Sequence, residues 1–270
     1  MIHWKQHALN AAEAFRCAAE YAQFKAGWPE LRKQSPKGDG HPVLVLPPFT
    51  GNDTITAPLR NTLTEVGYKT YGWEAGSNLG LNDKKAQLLH DRLKEIYEEN
   101  GRQKVSLVGL SLGGIIAREL AREYPEMVRE AISVNTPFGI GTDKDAVPPL
   151  LAATIQILSD EKFSLKSEGM TGRLVTPPPV PTTSIFSKTD GIAGWRACLN
   201  PKSPLAENIE ISGSHVGGFW NLEAVSVILN RLAQPEGEWK PLKQPRDYCE
   251  NPDPSWKKSP AGKQHFFPKN

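Results

Sequence analysis

The sequence predicts an α/β protein with a mostly parallel central sheet and helices on both of its faces. Two observations carry this. Short apolar or β-branched runs at 43–46, 68–73, 105–108, 131–135, 183–187 and 208–211 alternate with segments of helical periodicity, and that alternation implies βαβ units. Runs such as Val43-Leu44-Val45-Leu46 are apolar at consecutive positions, as suits strands covered on both faces.

Each element has its own reason. Residues 1–34 read as a helix, with Trp4, Ala8, Ala11, Phe15, Ala18 and Ala22 forming one stripe expected to pack on the body of the fold. Turn chemistry from Ser35 to Gly40 ends it. A helix is expected over 57–66, stopped by Gly67. The clearest helix is Asp83–Asn100, where Leu89, Leu93, Ile96 and Tyr97 share a face and Gly101 supplies the stop. Another follows the third strand to about Tyr124, and a last one spans 220–233, carrying Leu222, Val225, Ile228 and Leu229.

Two segments break the pattern. Residues 139–181 are too long for a simple crossover; they hold an apolar stretch from Leu150 to Leu158 and a Pro-rich stretch from Thr176 to Pro181. Residues 234–270, rich in Pro and Lys, read as a tail lying on the surface or partly disordered. The expected organisation is therefore a helical extension (1–40), an α/β domain (41–233) with an insertion at 139–181, and a tail (234–270). No internal repeat is visible.

Composition narrows the function. The 270 residues carry 32 basic and 30 acidic side chains, a formal net charge of +2. A nucleic-acid partner would demand a denser basic face. Cys17, Cys198 and Cys249 form no CxxC pair and are odd in number. They read as small buried hydrophobes in a reducing compartment. The N-terminus lacks a signal-peptide plan, and no stretch approaches the roughly 20 apolar residues of a membrane span. These features predict a soluble, cytoplasmic protein without a transmembrane segment; oligomeric state is left open. Neither HExxH nor GxxxxGK[ST] occurs, and no metal or cofactor is expected.

The chemistry is concentrated in Val105-Ser106-Leu107-Val108-Gly109-Leu110-Ser111-Leu112-Gly113-Gly114-Ile115-Ile116. It reads as strand, Gly-x-Ser-x-Gly, helix. The serine must sit on a sharp turn so that its Oγ stands clear of the sheet. Small neighbours let strand and helix approach, and the helix start aims N–H groups at the reaction centre. A serine nucleophile needs a base, and the base an orienting carboxylate. His3, His7, His41 and His90 precede Ser111, and His265 lies in the tail, which leaves His215 as the base, between the last strand and the last helix. Asp190, just past the fifth strand, is the expected acid. Asp143 and Asp145 after the fourth strand are its main rivals, with Glu207 and Asp160 behind them.

The chain resembles the α/β-hydrolase superfamily, and within it the small bacterial esterases and lipases. Pro-Pro-Phe-Thr-Gly after the first core strand, Gly-Leu-Ser-Leu-Gly-Gly, and the pair Thr-Asp-Gly-Ile and Gly-Ser-His-Val-Gly carry the likeness, over roughly residues 42–233. The resemblance implies Ser111 as nucleophile, Asp190 as acid, His215 as base, and 139–181 as a cap or lid. It also implies an oxyanion hole from the backbone N–H of Leu112 and of Phe49. Where the family usually has His-Gly, this chain has Pro47-Pro48, so Thr50 is a fallback donor.

The expected reaction is carboxylic-ester hydrolysis through an acyl-enzyme, on a small-molecule ester with an apolar acyl chain. Phe138, Ile140, Phe219 and Trp220 flank the motifs and are candidates to line the acyl pocket. A thioesterase or acyltransferase would use the same three residues. A non-catalytic binding protein on this fold would be expected to have lost one of them.

Overall fold

The computed structural model describes residues 2–139, 170–242 and 267. Six strands form one sheet: β1 (Pro42–Leu46), β2 (Lys69–Gly72), β3 (Val105–Leu110), β4 (Val128–Val134), β5 (Thr182–Ser187) and β6 (Ala206–Ile211). All pairings are parallel, in the order β2-β1-β3-β4-β5-β6. The helices are α1 (Ile2–Gln34), α2 (Asp53–Glu65), α3 (Asp83–Glu99), α4 (Leu112–Glu123), α5 (Met170–Val175) and α6 (Leu222–Leu232). Asn52, Asn82 and Asn221 start α2, α3 and α6 by accepting hydrogen bonds from free N–H groups of the first turn.

Strand side chains alternate between two cores. Leu44, Leu46, Leu107 and Ala131 pack with Leu89, Leu93 and Ile96 of α3 and with Ile116 and Leu120 of α4. Val43, Val45, Val108, Ile132 and Ile185 face the other way, onto Leu59 and Leu63 of α2, Val225 and Ile228 of α6, and Phe24 of α1. Both faces of the sheet are thus closed, as the continuous apolar runs required.

Two expectations change. The Ala8, Ala11, Phe15, Ala18, Ala22 stripe of α1 faces solvent, with Phe15 79% exposed. The face turned to the body carries Glu13, Arg16, Cys17, Glu20, Phe24, Trp28 and Leu31. Helix α1 does lie on the body, but by a face that is polar in its first half, because the loops it meets offer unpaired N–H groups rather than apolar surface. In the tail, Phe267 is 3% exposed and packs on Tyr124, so at that point the chain is anchored in the core. Most of the expected insertion, with the stretch Leu150 to Leu158, lies outside the described residues. Among the described residues no helix is long and apolar enough to cross a membrane.

Candidate active site

Strand order positions the site. From β1 the chain moves outward to β2 and then returns past β1 to β3. The loops after β1 and β3 therefore diverge, and such a point is where open α/β sheets bind ligands. The loop after β1 is Pro47–Gly51; the turn after β3 holds Ser111.

Ser111 sits at φ 54°, ψ −120°, a backbone conformation that side chains seldom adopt. Strain of this kind costs about 1–3 kcal/mol and persists only where the surroundings enforce it. Here the surroundings are close. A Cβ on Gly109 would collide with the carbonyl of Gly113, and one on Gly113 with the carbonyls of Leu46 and Pro47. The backbone N–H of Ser111 donates to the Val134 carbonyl (2.9 Å), which locks the turn to β4. Leu112 is the first residue of α4, so its N–H has no acceptor within the helix.

Asp190 and His215 meet above the ends of β5 and β6. His215 Nδ1 donates to Asp190 Oδ2 at 2.7 Å, and Asp190 Oδ1 accepts from the N–H groups of Ile192 and Ala193, each at 2.7 Å. Both residues are almost fully buried, His215 at 5% and Asp190 at 3% exposure. Burial alone would lower the imidazole's pKa. The Asp190 charge and hydrogen bond, with the Glu13 charge behind them, outweigh that and raise it. The loop is carried toward Ser111 by Asn135 at the end of β4, whose Nδ2 donates to the carbonyls of Ser214 (3.0 Å) and His215 (3.3 Å). Among the described residues no hydrogen bond joins the imidazole to Ser111. Such contacts are often long without substrate.

The remaining expected residues sort by burial. The Thr50 N–H donates to the Asn78 carbonyl at 2.7 Å, so the fallback oxyanion donor is already engaged. Phe49 is half-buried and packs beside Leu112 in the α3–α4 core. Phe138 and Phe219 are fully buried, the first beneath the Arg118 guanidinium at 3.7 Å from its ring centre. Trp220 packs edge-on against Tyr21 of α1 and donates to the Cys17 carbonyl. All three are buried beside the site. Ile140, Asp143, Asp145 and Asp160 lie outside the described residues. Glu207 is committed at the opposite end of β6, to Arg231, Thr183 and the Leu242 N–H.

Three residues had no functional reading in the sequence: Asn135, Glu13 and Glu20. The Glu13 carboxylate accepts from the N–H of Gly191 (2.8 Å) and of His215 (2.9 Å). Glu20 accepts from the N–H (2.7 Å) and the hydroxyl (2.8 Å) of Ser214. The available signal was spacing: Glu13, Glu20, Phe24 and Leu31 recur at intervals of seven, four and seven, which puts them on one helix face.

Comparison with known proteins bears on the fold. A family model described as the alpha/beta hydrolase fold matches residues 85–177, a span that includes Ser111 but neither Asp190 nor His215. Among solved structures, the chain is similar to lipase B of Aspergillus fumigatus, with 15% identity over 77% of this chain and 57% of that one and a TM-score of 0.58. It is also similar to a monoacylglycerol lipase of Paleococcus ferrophilus, with 15% identity over 73% of this chain and 95% of that one and a TM-score of 0.53. No curated protein matches the sequence significantly. The parallel sheet in this order, the strained serine turn after β3 and the family match together show that the chain has the α/β-hydrolase fold.

Proposed function

We propose that the protein is a serine hydrolase that cleaves carboxylic esters through an acyl-enzyme, with Ser111 as nucleophile, His215 as general base and Asp190 as the acid that orients it. The observation that carries the reading is the short His215–Asp190 hydrogen bond on a loop that Asn135 holds beside the strained turn of Ser111. With Nδ1 donating to Asp190, the imidazole leaves Nε2 as the acceptor a nucleophilic serine needs.

In this reading Ser111 Oγ bonds to the ester carbonyl carbon as its proton passes to His215 Nε2. The Asp190 carboxylate stabilises the imidazolium so formed. The oxyanion is received by the N–H groups of Leu112 and Phe49, and the engagement of the Thr50 N–H supports Phe49 as the second donor. The carbon–oxygen bond to the alcohol breaks as His215 returns the proton to the leaving oxygen. A water molecule, deprotonated by the same histidine, then releases the acid and restores Ser111. Each oxyanion donor supplies about 2.7–4 kcal/mol.

The test is turnover of p-nitrophenyl esters from acetate to palmitate, with an acyl thioester run in parallel. Wild type is expected to hydrolyse the oxyesters, and the Ser111→Ala variant to lose turnover by up to about 10⁶-fold. A preference for the thioester over every oxyester would replace the proposed leaving group; equal rates for wild type and variant would remove Ser111 from the mechanism.

A further inference from the structure

We infer that α1 is a working part of this site: Glu13 and Glu20 are positioning residues that hold the loops of Asp190 and His215 in register from outside the sheet. The inference rests on the proposed roles of Asp190 and His215.

The geometry is that of a bracket. Asp190 and His215 stand on separate loops after β5 and β6, and a 2.7 Å bond between them requires those loops to keep a fixed spacing. One carboxylate spans both. Glu13 Oε1 takes the N–H of Gly191, the residue after the acid, and Glu13 Oε2 takes the N–H of His215 itself. Glu20, two turns along α1, takes both donors of Ser214, and the Ser214 hydroxyl in turn accepts from the Gly217 N–H at 3.1 Å. Arg16 donates to the Thr189 carbonyl at 2.6 Å, and Asn10 to the Gly191 carbonyl at 3.1 Å. Every residue from 189 to 191 is thereby touched by α1 or by the histidine.

The loops are shaped for this helix. A Cβ on Gly191 would come within 2.6 Å of the Leu9 backbone, and a Cβ on Gly217 would run into the Glu20 carboxylate. The two halves of α1 also differ in kind. The second half anchors through Phe24, Trp28 and Leu31, and through Trp28 and Arg32 to Glu65 of α2, both at 2.9 Å. The first half presents carboxylates, and Glu13 is only 6% exposed. Burying an acid beside Asp190 is costly for both, and burial first, then the Asp190 charge, push the Glu13 carboxyl's pKa up. A helix needed only for packing would carry apolar residues there. An acid at that place does what an apolar residue cannot: it accepts two backbone N–H bonds and adds negative charge behind the imidazolium that forms during catalysis.

The charged groups acting on His215 are Asp190 from the β5 loop and Glu13 from α1; behind them on α1 stand Glu20, bonded to Ser214, Cys17 near both glutamates, and Arg16, whose guanidinium is 3.5 Å from Glu13 and offsets part of its charge. Asn135, the contact from β4, is neutral. Glu13→Gln keeps the side-chain shape and removes the charge, so the His215 pKa must fall.

The experiment follows the His215 imidazole by NMR titration, its signal assigned by loss in a His215→Gln variant, alongside kcat and KM on a p-nitrophenyl ester and the melting temperature. Glu13→Gln is expected to lower the His215 pKa, move the acid limb of the rate profile to lower pH, and reduce kcat about ten- to a hundredfold with little change in KM. Glu20→Gln is expected to reduce kcat with a smaller pKa change. Glu65→Gln, which loosens the far half of α1, is expected to lower the melting temperature and leave the His215 pKa in place. An unchanged His215 pKa and kcat in Glu13→Gln would overturn the inference, as would a Glu65→Gln variant that moves the pKa equally. The titration needs no substrate. If wild type hydrolyses no ester while Glu13→Gln still shifts His215, the ester reading fails and the bracket stands.

Discussion

An aspartate, a histidine and a serine lie at each end of the strands of this sheet, and the two groups differ in the features that the proposed reaction needs. At the N-terminal edge, His41 Nδ1 bonds Asp39 Oδ1 and His41 Nε2 bonds Ser106 Oγ at 2.8 Å. At the C-terminal edge, His215 bonds Asp190 and faces the turn of Ser111 without a hydrogen bond to it. By hydrogen bonding alone the first group is the more complete. Its Ser106, however, lies within β3, is fully buried, and also reaches Glu130 of β4 at 3.3 Å. No strained turn lifts it, no helix begins after it, and no substrate can approach. The charges behind the two histidines are opposite as well. His41 has burial and the Arg129 guanidinium against it, which together lower its pKa despite Asp39. His215 has Glu13 behind Asp190, and its pKa is raised. Residue types and a hydrogen-bonded chain do not make a nucleophile; access, backbone geometry and the second charge do.

The serines separate the two groups most sharply. Ser111→Ala should lose up to about 10⁶-fold in ester turnover, whereas Ser106→Ala should keep wild-type kcat and lose about 1–3 kcal/mol of stability, because His41 and Glu130 are left underpaired. Parallel kinetics and urea titrations check both; a Ser106→Ala variant with wild-type stability and a large loss of turnover would reverse the assignment. The acids come next. Asp190→Asn should reduce kcat about 10⁴-fold by allowing the wrong imidazole tautomer. Asp39→Asn should leave kcat unchanged while costing about 1–2 kcal/mol through its bonds to His41 and Arg129.

The last effect, seen in stability alone, is a dependence on pH at the N-terminal edge. Burial pushes the Glu130 carboxyl up to about 7, against 4.5 for an ordinary glutamate. The unfolded chain releases this proton near pH 4.5 while the folded chain keeps it, so the group lowers stability as pH rises from about 4.5 to 7. Glu130→Gln retains an acceptor for Ser106 and removes the penalty. Its melting temperature should match wild type near pH 4 and exceed it increasingly toward pH 7.5, by a difference on the order of 3 kcal/mol at 1.36 per pH unit. Parallel melting curves for the two proteins would remove the buried-acid account.

What the sequence made legible follows from what each feature depends on. All six strands and the helices α2, α3, α4 and α6 were readable, since their signals are local: apolar runs such as 43–46, helical periodicity such as Leu89, Leu93 and Ile96, and stops such as Gly101. Ser111, Asp190 and His215 were candidates because a strand-end position can be read once the strands are placed. The α1 face was misread because burial was equated with apolarity; Glu13 and Glu20 are drawn inward by N–H groups nearly two hundred residues away, which no local pattern encodes. The burial of the aromatic side chains was not legible either, since sequence cannot say whether Phe219 lies above a strand end or beneath it. The engagement of the Thr50 N–H by Asn78 depends on a loop after β2 that periodicity does not describe.

Of Ser106 and Ser111, the proposed mechanism makes only Ser111 nucleophilic. Covalent labelling with a fluorophosphonate, with the modified residue located by mass spectrometry, tests it directly. A single adduct on Ser111 is expected, one that disappears in Ser111→Ala and persists in Ser106→Ala. No adduct on the wild-type protein, or one that survives Ser111→Ala, would contradict it.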